Sequence, residues 1–220
     1  LYQTETITGG NITTVTGSKI FSKIRGIDID GNSNGKVSIG TESVGYSLKV
    51  KNNDNVEKIT NVPVGSSAYY LANKLKTELA GTSVNVSAST KVLLGPFEDG
   101  VSGSITFDLK GKNSEAVPIN ASIAASDISS LAKRINEYTS QTGLVANVTN
   151  DFKKIIIDSK DGYDINLKNI TAPSDFYIET YGHDFEKLSD NNSQRNYRLL
   201  IDISNSKKVS ANIKGELLFS

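Results

Sequence analysis

The sequence of 220 residues contains no cysteine, no methionine and no tryptophan, and its one histidine is His183. Without cysteine the chain can form no disulfide, no thiolate metal site and no thiol nucleophile. A single histidine leaves the usual zinc sites and Ser/His/Asp catalysis with almost no residues to use. Because no set of general acid, base and nucleophile converges, we expect no enzymatic activity and no cofactor.

The sequence also lacks an excess of charge of either sign, because 24 basic side chains balance 24 acidic ones. Nucleic acids and anionic membranes both select a basic excess on one face, so neither is an expected partner. No apolar run approaches the ~18–20 residues of a membrane-spanning helix, and the first residues show no secretion signal. The chain begins with Leu1 instead of methionine, which predicts a segment from the middle of a longer protein.

Serine, threonine and asparagine are abundant and make up 65 of the 220 residues. These residues favour turns and exposed strand faces over long helices. Apolar and polar residues alternate with a period of two in many segments, which indicates half-buried strands. Strands are predicted at 27–29, 46–50, 84–88, 105–109, 144–148, 155–158, 163–167, 197–203 and 209–219.

Two segments have helical spacing instead, with apolar residues at positions i, i+3, i+4 and i+7. The predicted helices cover 67–80 and 127–139, and Asp127 lies in the first turn of the second, where the helix dipole favours negative charge. Each is about 13 residues long and needs a sheet to pack against. The predicted end signals are Ser66 or Ser67 as N-cap and Gly81 as stop of the first helix, and Ser126 as N-cap of the second.

The two predicted helices lie in a common frame with an offset of 60 residues. The run 71–75 aligns with 131–135, and 82–84 aligns with 142–144. This self-similarity predicts two related β–helix–β units, the first unit over about 36–100 and the second unit over about 101–172. The fold class is therefore α+β and β-rich, with antiparallel strands and one short helix in each unit.

Four stretches of the second unit carry a resemblance to a known family. They are 103–111 (GSITFDLKG), 127–136 (DISSLAKRIN), 142–146 (TGLVA) and 155–165 (IIIDSKDGYDI). With these stretches the second unit resembles the inserted repeat in the variable region of bacterial flagellins and some hook-associated proteins. The first unit looks like a diverged copy, and the ending 209–220 is similar to the flagellin strand that leads back toward the helical core.

The resemblance implies a structural subunit of the bacterial flagellar filament, exported by the flagellar route and located outside the cell. This segment would be the surface-exposed outer region that shapes the filament exterior in motility, and its Ser and Thr side chains could be O-glycosylated. Its partners would be other flagellin subunits, contacted through terminal helices missing here and through lateral contacts between outer domains, while the isolated segment would be a monomer. Two alternatives stay open, a hook-associated cap protein domain and a secreted adhesin or carbohydrate-binding module.

The resemblance also suggests a division of the chain into two domains. Residues 1–100 would form a first outer β-rich domain with its helix near 67–80. Residues 101–220 would form a second outer domain with its helix near 127–139. The end of this second domain, 173–220, would return toward the missing helical core.

An acidic loop rich in asparagine and glycine is the main metal candidate. Counting Asp30 as position 1, Asn32 and Asn34 fall at positions 3 and 5 as in a calcium-binding loop. The twelfth position, which needs a bidentate carboxylate, is Thr41, and Glu42 lies one residue late. A hairpin turn explains the same residues by their tolerance of positive φ, and we favour the turn.

Three further groups of side chains could carry chemistry. The three carboxylates of an acidic cluster would alternate in direction at a hairpin and mostly face solvent. The single histidine is expected in an exposed loop. Of two neighbouring tyrosines on the first helix, one is expected to be buried and one exposed, and sugar stacking is the less favoured use. The residues concerned are Asp158, Asp161 and Asp164, then His183, then Tyr69 and Tyr70.

Overall fold

The computed structural model describes one part of the chain in full and another part as strand backbone alone. Side chains are described at 63, 66–81, 86–179, 200–203, 209–213, 215 and 217. Strand backbone alone is described at 4–5, 12–17, 26–30, 37–38, 46–52, 57–62, 180, 198–199, 214, 216 and 218–219.

The described elements alternate between long stretches of strand and single short helices. The strands are β1 (Thr4–Glu5), β2 (Ile12–Gly17), β3 (Gly26–Asp30), β4 (Val37–Ser38), β5 (Tyr46–Asn52), β6 (Glu57–Val62), β7 (Val86–Phe97), β8 (Ser102–Lys110), β9 (Val117–Ala124), β10 (Val145–Val148), β11 (Ile155–Ser159), β12 (Ile165–Thr171), β13 (Phe176–Thr180), β14 (Arg198–Ile201), β15 (Val209–Lys214) and β16 (Glu216–Phe219). The helices are α1 (Ala68–Glu78), α2 (Ser129–Asn136) and α3 (Thr139–Thr142).

The described strands form three antiparallel sheets. The first sheet has the order β1-β2-β5-β6. The second has the order β10-β11-β7-β13-β14, with β16 also paired to β7, and the third has the order β4-β3-β15-β12-β8-β9. This arrangement confirms the predicted α+β, β-rich fold class with antiparallel strands.

The two units share the order of their elements. A hairpin precedes each helix, because β5 pairs with β6 before α1, and β8 pairs with β9 before α2. After its helix the first unit continues into the single long strand β7, whereas the second unit continues through α3 into the hairpin of β10 and β11. The β–helix–β repeat is therefore present, with an additional four-residue helix in the second unit.

One apolar core joins the second sheet, the third sheet and α2. Alternate residues of β9, such as Ile119 and Ile123, face this core, which is the expected result of period-two patterning. Each such side chain contributes roughly 1.5–3 kcal/mol on burial. Val92 and Leu94 of β7 belong to the same core, so the core includes residues on both sides of position 100. The division of the chain at residue 100 stays a prediction.

The ending predicted as one strand is two strands that pair with different partners. Whereas β15 lies between β12 and β3, β16 pairs with β7. The change of partner occurs at Gly215, where a Cβ would lie 2.2 Å from Thr90 Oγ1 and 2.5 Å from the Ser89 carbonyl oxygen. Only a glycine lets the backbone pass so close to β7, which the alternation of apolar residues could not show.

Several strands were not predicted from alternation, and β9 is the most instructive. Its buried residues alternate strictly with Pro118, Asn120 and Ser122, which are exposed. Proline normally argues against a strand, but it is tolerated at a sheet edge, and β9 is the last described strand of its sheet. The strand predicted at 84–88 is described from Val86 and continues beyond its predicted end to Phe97, while 84 and 85 lie outside the described residues.

The first helix confirms one of its two predicted caps. Tyr70 N donates to Ser67 Oγ at 3.1 Å, so Ser67 is the N-cap of α1, whereas Ser66 Oγ donates to the Pro63 carbonyl oxygen. The helix ends at Glu78, and Gly81 adopts a positive φ of 85° in the turn beyond it. Gly81 therefore lies in the turn beyond the helix and is not its C-cap, which is Leu79.

Candidate functional site

The start of α2 is held by a carboxylate and not by the predicted serine. Ser129 N donates to Asp127 Oδ1 at 2.9 Å, and Ser126 is exposed. The prediction of Ser126 as N-cap is wrong, because the helix begins two residues later than expected, within reach of Asp127. Hydrogen bonds from the Ser129 hydroxyl and backbone N–H lower the pKa of Asp127 below its usual value.

The apolar face of α2 fixes the helix against the neighbouring strands. Leu131, Ala132 and Ile135 lie at i+3, i+4 and i+7 from Ile128, and all are buried in the shared core, as this spacing predicts. On the side facing β9, Ser130 Oγ donates to the Ser122 carbonyl oxygen. The helix is therefore joined to β9 by both packing and a specific hydrogen bond.

The last residue of α2 makes a double hydrogen bond to the strand that follows. Asn136 Nδ2 donates to the Ala146 carbonyl oxygen at 2.8 Å, and Ala146 N donates to Asn136 Oδ1 at 2.7 Å. One side-chain amide thereby satisfies both backbone groups of one residue of β10. This contact gives a structural role to the Ile-Asn pair at the end of the helix.

Two threonines of α3 continue the bonding to the start of β10. Thr139 Oγ1 donates to the Leu144 carbonyl oxygen at 2.8 Å, and Leu144 N donates to Thr142 Oγ1 at 3.1 Å. Gly143 closes α3 with a left-handed φ of 70°, which a side chain would disfavour. The Thr-Gly-Leu motif is thus a helix stop whose hydroxyl also holds the next strand.

The turn between β8 and β9 lies against this helix stop. Lys112 N donates to the Thr142 carbonyl oxygen at 2.9 Å. Gly111 N donates to Asn113 Oδ1 at 2.7 Å, and a Cβ on Gly111 would lie 2.3 Å from the Thr142 carbonyl oxygen. The glycine that ends the first motif stretch is therefore required by close packing, because any side chain there would displace α3.

A contact between tyrosines joins the second unit to the first. The rings of Tyr69 and Tyr163 stack with centroids 3.9 Å apart, and Tyr69 N donates to the Gly162 carbonyl oxygen at 2.8 Å. A hydrogen bond to Tyr69, together with burial, raises the pKa of Tyr163 to about 12. A Cβ on Gly162 would lie 2.5 Å from the Ala88 Cβ and 3.1 Å from Tyr69 N, so the two units pack too closely at this point for a side chain.

The side chains that could carry chemistry are distributed without forming a reactive cluster in the described part of the chain. Asp161 is exposed as expected, but Asp158 and Asp164 are half-buried. Among the described residues, no group of three or more His, Cys, Asp or Glu side chains is placed to hold a metal ion. The following predicted residues lie outside the described ones: His183, Asn32, Asn34 and Glu42, while Asp30 is described as strand backbone at the end of β3.

The tyrosine pair differs in part from its expectation. Tyr70 is 46% exposed, whereas Tyr69 is half-buried and offers one ring face to Tyr163 instead of to a sugar. Sequence reasoning missed the roles of Asn136, Thr139 and Thr142. Their only signal in the sequence is the placement of amide and hydroxyl residues at the end of a helix, just before a short strand.

These contacts define a class of protein module. A hairpin, a helix and a second hairpin are held together by side chains that bond to the module's own backbone. No helix of the described residues has the length and apolarity to cross a membrane. The arrangement is that of a structural unit, in which the specific residues build the fold.

The comparison with protein families agrees with this class. Residues 104–161 match the family model described as the flagellin hook IN motif, which is 58 of the 220 residues of the chain. The match begins in β8 and ends just after β11, so it coincides with the hairpin, helix and hairpin described above. It supports a flagellin-type central region. No curated protein matches the chain.

Proposed function

We propose that the chain is the surface-exposed outer region of a flagellin, a structural subunit of the bacterial flagellar filament outside the cell. The observation that carries this proposal is the flagellin hook IN motif at 104–161. Within the matched residues, Asn136 and Thr142 bond to the chain that follows their helices and Gly111 packs against Thr142, while β8 and β11 pair with β12 and β7 of the same chain. The motif therefore completes its sheets with other strands of this chain, which suits a module that decorates a filament.

The path of the chain supports an outward-projecting region. Incoming strand β3 pairs with returning strand β15 in antiparallel register, so that Gly26 lies opposite Lys214 and Asp30 lies opposite Ser210. The chain therefore enters and leaves this sheet side by side, as expected of a region that departs from a helical core and rejoins it. From the same geometry we expect residues 1–5 and 216–220 to lie close together.

The polar face of the third sheet is suited to contact with water. Thr106 and Thr171 hydroxyls are 2.6 Å apart, and Asn169 Nδ2 donates to Asp108 Oδ2 at 2.6 Å across neighbouring strands. These side chains bond to one another and make the face of β8 and β12 polar at these positions. Together with zero net charge, such a surface would permit close lateral packing of subunits without strong repulsion.

The partners in this proposal are other flagellin subunits. Contact would be made through terminal helices of the parent protein and through lateral contacts between outer domains at 1–100 and 101–220. The isolated chain would be a monomer without enzymatic activity, would need no cofactor, and would bind neither nucleic acid nor membrane. Its role is to set the diameter and surface of the filament in motility, with O-glycosylation of Ser and Thr as a possible modification.

A hook-associated cap protein is the second candidate, and the description of the matched motif, which names the hook, favours it. The third alternative, a glycan-binding module, has less support. Tyr69 and Tyr163 cover one ring face of each other, which leaves Tyr70 and Phe152 as the exposed aromatic side chains among the described residues, on two different segments.

Immunogold labelling with antibodies against this chain would separate the candidates in cells that express the parent protein. A flagellin predicts gold particles along the whole filament. Label confined to the filament tip or to the hook junction would overturn the flagellin proposal in favour of the hook-associated one. Absence of label from the flagellum would overturn both.

A further inference from the structure

The outer side of β10 is an edge that the protein itself completes. Within the described residues β10 pairs on one side with β11, and it ends the strand order of the second sheet. A residue at a sheet edge presents an N–H and a C=O that bind water or another strand, which makes open edges prone to pairing with other chains. For Ala146 both groups bond to the amide of Asn136 instead.

The asparagine amide reproduces the bonding of a neighbouring strand. A residue of an antiparallel strand exchanges two hydrogen bonds with its partner, one donated and one accepted. The carboxamide of Asn136 has the same pair of functions on one group. Thr139 and Thr142 bond both backbone groups of Leu144, the residue just before β10, so three side chains bond the backbone of Ala146 and of the residue two positions before it.

The first unit has a different residue at the position equivalent to the asparagine. In the frame offset by 60 residues, Lys76 takes the place of Asn136, and Val86 takes the place of Ala146. Lysine has no acceptor atom and cannot make the double bond, and Lys76 is exposed. At this position β7 is paired with an actual strand, because Val86 lies opposite Phe219 of β16.

We propose that Asn136, assisted by Thr139 and Thr142, acts as a surrogate strand that closes the β10 edge against pairing with a second copy of the chain. In the first unit β16 bonds to the strand that follows the helix, whereas in the second unit side chains bond to it. The proposal concerns association between copies and holds whether or not the parent is a flagellin. It makes the asparagine a determinant of the monomeric state.

Cross-linking through a single cysteine tests the proposal directly. The chain has no cysteine, so Asn147→Cys, at an exposed position of β10, supplies the sole thiol. If two β10 edges pair around Ala146, the two thiols lie diagonally opposed at about 7–8 Å, within reach of a short bis-maleimide. We expect at least tenfold more cross-linked dimer from Asn136→Ala with Asn147→Cys than from Asn147→Cys alone.

Hydrogen exchange at the Ala146 amide supplies the second readout. Loss of its acceptor in Asn136→Ala should accelerate exchange at this amide at least tenfold in dilute, monomeric protein. Asn120→Ala is the matched control, because Asn120 is exposed on β9, the edge strand of the other sheet. With Asn147→Cys it should cross-link no more than Asn147→Cys alone and leave Ala146 exchange unchanged.

Two results would overturn the proposal. Unchanged exchange at Ala146 would show that the Asn136 hydrogen bonds do not protect the Ala146 amide. Faster exchange without additional dimer would show that these hydrogen bonds do not prevent pairing of two β10 edges. Should Asn136→Ala fail to fold, Asn136→Asp takes its place. Aspartate keeps the acceptor for Ala146 N–H and loses the donor to the Ala146 carbonyl, so the same two measurements decide.

Discussion

The two units stabilise the same order of elements by different means. In the first unit the helix carries a serine N-cap, Ser67, and the following strand is paired with β16. In the second unit Asp127 accepts a hydrogen bond from the first residue of the helix, and side chains of α2 and α3 bond to the backbone of the following segment. The difference teaches that a repeat conserves its apolar spacing while the polar contacts at helix ends and strand edges are free to change.

The largest expected effect comes from breaking the contact between the units at Gly162. Gly162→Ala should lower the free energy of unfolding by about 3 kcal/mol, because the new Cβ meets the Ala88 Cβ and the residue keeps a φ of 81°. Urea unfolding measures the change. Gly100→Ala is a matched control, since its φ is 80° but no atom lies within 4 Å of the new Cβ.

The control should cost about 1 kcal/mol, the penalty of a positive φ without a clash. Equal losses from Gly162→Ala and Gly100→Ala would mean that backbone strain alone explains both. The described junction between the first and second units would then contribute little to stability.

A smaller change in the free energy of unfolding is expected from the helix caps. The caps also differ between the units, because a serine caps α1 and no serine caps α2. Ser67→Ala removes the acceptor for Tyr70 N and should destabilise the protein by about 1 kcal/mol. Ser126→Ala alters an exposed side chain that caps no helix and should change stability by less than about 0.5 kcal/mol. Thermal unfolding of the two variants side by side decides, and a larger loss from Ser126→Ala would reverse the assignment of the caps.

The smallest effect concerns alkaline pH at the tyrosine pair. Because the pKa of Tyr163 is raised to about 12, above its ordinary value near 10, ionisation is easier in the unfolded chain. The corresponding stability is fully present below about pH 10 and is lost as the pH rises toward 12. Tyr163→Phe should reduce this loss in urea unfolding across pH 9–12, while Tyr70→Phe, at an exposed position, should not. Equal pH dependence in both variants and the parent would contradict the contact.

Apolar patterning predicted the described fold well where a side chain reports its own environment. The spacing of Leu131 and Ile135 predicted both the helix and its buried face, and the alternation at 105–109 predicted β8. Apolar patterning could not predict the residues whose role depends on contact with another segment of the chain. Gly111 is required by Thr142, and Asn136 is required by Ala146, so neither role is visible without the fold.

The central claim is that this chain is an outer structural module of a flagellar filament, and an electron cryomicroscopy map of the assembled parent protein tests it most directly. The account predicts helical filaments in which the hairpin unit at 104–161 and the third sheet, where β3 and β15 lie side by side, are at the outer radius around a helical core. A parent that forms no filament, or a map that places this module inside the core, would contradict it.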